Sequence, residues 1–456
     1  MASAAEQLAA NMNFGAFQRA TELHKRILFT LGALIVYRLG TYIPIPGIDP
    51  AVFQQAFQGQ AQGILGMVNM FSGGAVERMA VFALNVMPYI SASIIVQLMA
   101  TVYGPWEKLR KEGGEAGRKQ LNQYTRYLTV GLALVQAFAI ANGLQTQPGL
   151  VLDPGPFFLI TTTVVLTGGT MFMMWLGEQI TSRGVGNGIS LIIFAGIVVG
   201  IPRAFAQLFS LVREGALNPA MLLFVLAMVV SLVLFIVFVE RSQRRVLVQY
   251  PKRQQGNRMM GGESSFLPLK ANTAGVIPPI FASSLLLLPT TALSMVNAQT
   301  LPEYMQWLPQ LTGFLAHGQP GFLVFYGLLI VFFTFFYTGV VFNPDDTADN
   351  LRKYGGFLPG IRPGKRTAEY LDFVLTRITV IGAAYIAFVC LVPEALMMQN
   401  ASLQGLMAVL GGTSILIVVS VTMDTVAQIQ SHLLAHQYEG LIKKARLRTG
   451  PKGARG

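Results

Sequence analysis

The chain has 456 residues, 53% of them hydrophobic and only 12% charged, with a mean hydropathy of +0.52 and a formal net charge of +12. That balance argues against a string of soluble domains. A single cysteine, Cys390, gives no disulfide framework and no thiolate metal site.

In chain order, residues 1–24 place Phe14, Phe17, Leu23 and Ile27 at helical spacing, which predicts an amphipathic cytoplasmic segment. Glu6, Arg19 and Glu22 interrupt any continuous apolar core there, so no cleavable signal peptide is expected and the first span serves as insertion signal. Ten apolar stretches follow, at 25–43, 79–103, 123–144, 157–180, 189–209, 219–239, 274–296, 320–342, 373–392 and 404–424. Each is near the ~20 residues that cross a bilayer core. The external segment 44–78 opens on Pro44-Ile45-Pro46-Gly47 and carries an apolar run, Gly63 to Phe71, too short to cross. It predicts a re-entrant piece. Between spans four and five, Gly177 to Ser190 is dense in glycine but lacks the Gly-Lys-Ser/Thr ending and preceding strand of a nucleotide loop. A tight turn fits it better.

The external connection 210–218 separates a first half, 25–209, from a second, 219–424. Five spans in each half put the halves in opposite orientations, as inverted repeats require. Of the two long basic loops, 240–272 alternates Val246 and Val248 before Gln254-Gln255-Gly256 and predicts a hairpin. The other, 343–372, contains Pro359-Gly360-Ile361-Arg362-Pro363-Gly364, a turn too rich in Gly and Pro for a helix. The tail 425–456 is basic and expected to fray beyond Lys444.

Every Lys and Arg except Arg38, Arg78, Arg203, Arg213 and Arg377 falls in the termini or in alternate loops. The basic side stays in the cytoplasm, so both termini are expected there. Part of the positive charge is therefore topological, and part suits polyanions such as anionic lipid headgroups or RNA.

Inside the spans the acidic residues are Glu178 and Asp424, each near a membrane end and without a carboxylate partner at helical spacing. His432 and His436 are i,i+4 but lie in the tail with no acidic third ligand. No catalytic centre, metal or cofactor is expected. A secondary transporter with inverted repeats remains the alternative, although a cation relay needs midplane ionisable groups. An intramembrane hydrolase lacks both nucleophile and base.

Four motifs carry a specific resemblance: Met87-Pro88-Tyr89-Ile90-Ser91-Ala92-Ser93, Gly177–Ser190, Leu267–Pro278 and Gly360–Gly364. Together and in this order they resemble the SecY family of protein-conducting channels, from about residue 15 to 445. The resemblance implies an all-α, ten-helix hourglass that passes unfolded polypeptides and releases apolar segments sideways into lipid. It implies a pore ring of Val86, Ile90, Ile189, Ile193, Ile280 and Ile417, whose branched apolar side chains would dewet an empty waist. It implies a plug formed by Ile64, Leu65, Met67, Val68, Asn69, Met70 and Phe71, with Asn69 near Asn187. A lateral gate would use Ser91, Gln97, Asn272 and Leu288, with Pro88 and Pro278-Pro279 kinking its helices. Arg253, Arg258 and Arg362 would dock a ribosome or the SecA motor ATPase. The other implied partners are the small subunits SecE and SecG, nascent polypeptides with signal sequences, and anionic lipids.

Overall fold

A computed structural model describes residues 21–60, 69–145, 149–250, 253–255, 258–260, 264–294, 319–399 and 410–448. The helices are α1 (Thr21–Gly40), α2 (Pro50–Gln60), α3 (Met87–Val102), α4 (Gly104–Lys111), α5 (Gly114–Gln145), α6 (Pro156–Arg183), α7 (Gly188–Arg213) and α8 (Pro219–Arg241). A hairpin of β1 (Gln243–Gln249), β2 (Arg253–Gln255), β3 (Arg258–Met260) and β4 (Ser264–Lys270) follows. The chain then forms α9 (Ile277–Ser294), α10 (Pro320–Val341), α11 (Pro344–Lys353), α12 (Lys365–Gln399) and α13 (Gly412–Arg448).

Each predicted apolar stretch overlaps one long helix. Among the described residues seven helices are long and apolar enough to cross a membrane, and α3 with α4, bent by 96°, makes an eighth. The outer faces of α1, α6 and α8 leave Leu28, Ile35, Phe157, Ile160, Leu223 and Leu234 exposed, the surface that lipid would cover. On α8 only Val225, Leu232 and Ile236 are buried.

Local rules explain the helix starts. Asn187, Asn218 and Asn343 each accept from backbone N–H groups of the first turn, and Pro219, Pro320 and Pro344 occupy first-turn positions that need no donor.

Several expectations are corrected. Residues 79–86 are not helical: α3 begins at Met87, after turns in which Met79 and Asn85 adopt positive φ. This stretch is apolar enough for a span, but Ala80 bridges Pro44 and the Asn85 amide donates to the Phe71 carbonyl, so its backbone serves other partners. Pro88 lies in the first turn of α3, and Pro278 and Pro279 in the first turn of α9. There they start helices and remove no interior bond, so they do not act as kinks. The sharp bend falls instead after Val102.

The segment 44–78 holds α2, announced by Asp49, whose carboxylate accepts from Ala51 N–H at 2.9 Å. The loop 343–372 holds α11, with Asp345 and Asp346 in its first turn and Arg352 and Lys353 in its last, matching the helix dipole. In the tail, α13 continues to Arg448 without the expected fraying at Lys444. The 1–20 part of the amphipathic segment lies outside the described residues.

The two basic loops form one body. β1 and β4 pair from Gln243↔Lys270 to Gln249↔Ser264, and β2 and β3 from Arg253↔Met260 to Gln255↔Arg258, as the hairpin reading expects. Gln249 and Phe357 exchange two backbone hydrogen bonds of 2.9 Å, tying the hairpin to the loop after α11. Val246, Leu269, Leu358, Val374 and Ile378 form the small core beneath them.

Candidate functional site

Four helices bring the expected ring residues together. Val86 and Ile90 at the start of α3, Ile193 on α7, Ile280 on α9 and Ile417 on α13 are buried in one cluster, and Ile189 packs against it. Ile90 N–H donates to the Val86 carbonyl at 3.0 Å, so the two side chains stand one turn apart on one side. Burial of each aliphatic side chain stabilises this packing by about 1.5–3 kcal/mol.

The segment 69–86 enters the same cluster. Met70 and Phe71 belong to it, and Ser414 Oγ lies 3.0 Å from Met70 Sδ. Ile64, Leu65, Met67 and Val68 lie outside the described residues. A Cβ at Gly196 would sit 2.6 Å from the Phe71 carbonyl oxygen, so this close approach to α7 requires glycine.

Polar anchors hold the rest of the segment. Arg38 donates to the Gly73 carbonyl at 2.6 Å, and the guanidinium groups of Arg38 and Arg78 lie 4.7 and 4.1 Å from the Tyr42 ring centroid. The buried Glu77 carboxylate accepts from Arg203 at 3.2 Å through both oxygens and from Gln54 at 3.1 Å, while Glu77 N–H donates to Asn69 Oδ1 at 2.8 Å. Burial alone would raise the Glu77 carboxyl; hydrogen bonds from Gln54, Arg203 and Asn69, with the Arg203 charge, hold it below the ordinary carboxylate value.

The expected Asn69–Asn187 pair is not what these amides form. Asn69 is bound to Glu77, and Asn187 caps α7 by accepting from Ile189 and Ser190 N–H. Each has a nearer partner.

The glycine-rich stretch is the turn expected of it, and it gathers helices behind the ring. Val185 N–H donates to Thr30 of α1, Gly186 N–H to Gln428 of α13 and Gly188 N–H to Thr181 of α6. Gly186 has φ +90°, and a Cβ on Gly188 would lie 1.9 Å from the Gly177 carbonyl oxygen. Gly188→Ala should therefore force α6 and α7 apart and destabilise by about 1–3 kcal/mol or more. Thermal unfolding in detergent measures this; an unchanged midpoint would refute the close packing.

At the expected lateral seam, α3 and α5 pack against α9. Arg110 closes one end by donating to the Val340 carbonyl at 3.0 Å. A cavity of about 220 Å³ lies there, lined by Tyr89, Ser93, Gln97, Arg110, Arg118 and Val340 among others. Ser91 is buried, and the Gln97 amide donates to Ser93 at 3.1 Å. The Asn272 amide donates to Glu240 Oε1 at 2.7 Å, and its carbonyl accepts from Gly275 N–H. Side-chain placement of Leu288, Arg253 and Arg258 lies outside the described residues. Arg362 is exposed on its turn, where its carbonyl accepts from Thr367 Oγ1 at 3.0 Å.

Glu77, Arg203 and Glu240 escape a reading by hydropathy. Arg203 was nevertheless visible as a charge that breaks the one-sided pattern.

These features define a helical multi-pass membrane protein whose two halves meet around an aliphatic cluster. The chain belongs to the SecY family, whose family model matches residues 80–426. It is 51% identical over 442 residues to the protein translocase subunit SecY of Rickettsia bellii, covering 96% of this chain and 100% of that protein. Against the same subunit of Escherichia coli K12 it is 52% identical over 430 residues, covering 94% and 95%. The fold is similar to a solved protein-conducting channel, with a TM-score of 0.64 at 18% identity, covering 90% of this chain and 92% of the other. It is also similar to Sec61 in the canine ribosome–channel complex, with a TM-score of 0.60 at 18% identity and the same coverages.

Proposed function

We propose that this chain is the protein-conducting subunit of a Sec translocon, a ten-span inner-membrane channel for unfolded polypeptides with both termini in the cytoplasm. The observation that carries the reading is the meeting of the ring residues, from four helices in both halves, with Met70 and Phe71 in one apolar cluster. A waist of this kind excludes water when empty and yields to an extended chain of any sequence. Residues 64–71 act as the plug. The α3/α5–α9 seam, with Ser91, Gln97, Asn272 and Leu288, is the lateral exit into lipid.

The chain supplies no energy itself. The basic body formed by the hairpin and the Arg362 turn suits charge-led docking to ribosomal RNA or to the SecA motor. Arg253, Arg258 and Arg362 are its leading contacts, and SecE, SecG and anionic lipids complete the assembly. Kinship along nearly the whole chain with translocase subunits sets the secondary-transporter alternative aside.

The complex purified from its membrane and reconstituted in liposomes tests this reading. With motor ATPase and ATP it should carry an unfolded precursor into a protease-protected space, and deletion of 64–71 should raise resting ion conductance. No protected precursor, with an active motor, would overturn it.

A further inference from the structure

Arg203 lies on the external part of α7, away from the cytoplasmic basic surface. Ile189, Ile193, Gly196 and Arg203 follow one another at spacings of four, three and seven residues, so they share one face of that helix. The face runs from the aliphatic cluster, past the Phe71 carbonyl at Gly196, to the Glu77 carboxylate at Arg203. Glu77 in turn holds Asn69, so both ends of the segment 69–77 are gathered at one carboxylate.

The two partners are unequal. Glu77 is 7% exposed, whereas the Arg203 side chain is 56% exposed. Two parallel N–H···O bonds of 3.2 Å fix the direction of approach as well as the attraction. A movement of α7 away from the segment breaks both bonds at once and leaves Arg203 in water, where a guanidinium is well solvated. The Arg38 bond to the Gly73 carbonyl belongs to α1 and does not depend on that movement.

We propose that the Glu77–Arg203 ion pair is the latch that holds the plug-bearing segment against α7 in the closed channel. Arg203 is then a positioning residue for gating, acting through the segment rather than on the translocating chain. The inference rests on the channel reading above.

The test uses the intact complex in planar bilayers. Arg203→Gln and Glu77→Gln should each raise resting ion conductance severalfold while thermal unfolding stays near the parent. Arg203→Lys, which keeps the charge and loses the fork, should recover part of the seal. Reversing the pair, with Glu77→Arg and Arg203→Glu together, should recover more of it than either reversal alone.

Parent-like conductance in both Gln variants would overturn the latch. So would a reversed pair that leaks like its single members while unfolding at the parent temperature. Ile417→Asn, measured alongside, separates the levels. If it leaks while Arg203→Gln stays sealed, the latch falls and the channel stands; if no variant leaks, including Ile417→Asn, the channel reading falls with it.

Discussion

Replacing Ile417 with Asn is expected to hydrate the waist and loosen the closed channel. Ile417 is 1% exposed and belongs to the cluster that holds Val86, Ile90, Ile193 and Ile280. An amide held dry without partners there costs about 1–3 kcal/mol. Water entering the waist relieves that cost, so the closed–open balance moves toward open by roughly 5- to 150-fold. Two readings follow: higher resting ion conductance, and better export of precursors with weakened signal sequences. Ile90→Ser should act in the same direction. Unchanged leak and unchanged export in both variants would remove these residues from the constriction.

Arg362→Glu is expected to stop export while leaving the protein intact. The side chain is exposed on a turn outside the membrane, and surface changes of this kind shift stability within about 0.5 kcal/mol. If the turn docks on phosphate or on an acidic groove, losing one charge-assisted bond costs about 1.5–3 kcal/mol. That is roughly 10- to 100-fold in affinity, and reversal of the charge adds repulsion. Abundance and membrane insertion should be normal, with export and partner binding both sharply reduced. A steep salt dependence of binding in the parent, flattened in the variant, would mark a phosphate contact. Normal export by the variant would leave this arginine with only an orienting role.

Hydropathy made the spans legible, because it is a sum over many residues that no single contact can reverse. The hairpin was legible from Val246 and Val248 for a similar reason: period-two alternation reflects one buried face. What escaped was backbone that is apolar yet irregular. Residues 79–86 read as span, but their conformation is decided by partners distant in sequence, Pro44 and Phe71, which a window of neighbours does not see.

The short helices were a different failure. Asp49 before α2 and Asn343-Pro344-Asp345-Asp346 at the start of α11 are capping signals that the run of loop residues hid. Within the site, Val86, Ile90, Ile193, Ile280 and Ile417 share one buried cluster, whereas Asn69 and Asn187 found nearer partners. Local capping and the hydrogen bonds to Glu77 engage these amides instead.

The hairpin has a mechanical meaning beyond docking. β1 follows α8 after one residue, and β4 leads into α9 through the Asn272 turn, which Glu240 at the end of α8 clamps. Seven paired residues in each arm make a stiff rod of roughly 20 Å, rooted in one helix of the seam and its neighbour. A push on the outer end of that rod becomes a torque at the root of α9. Load on the two strands is thus delivered to the helix that packs against α3 and α5.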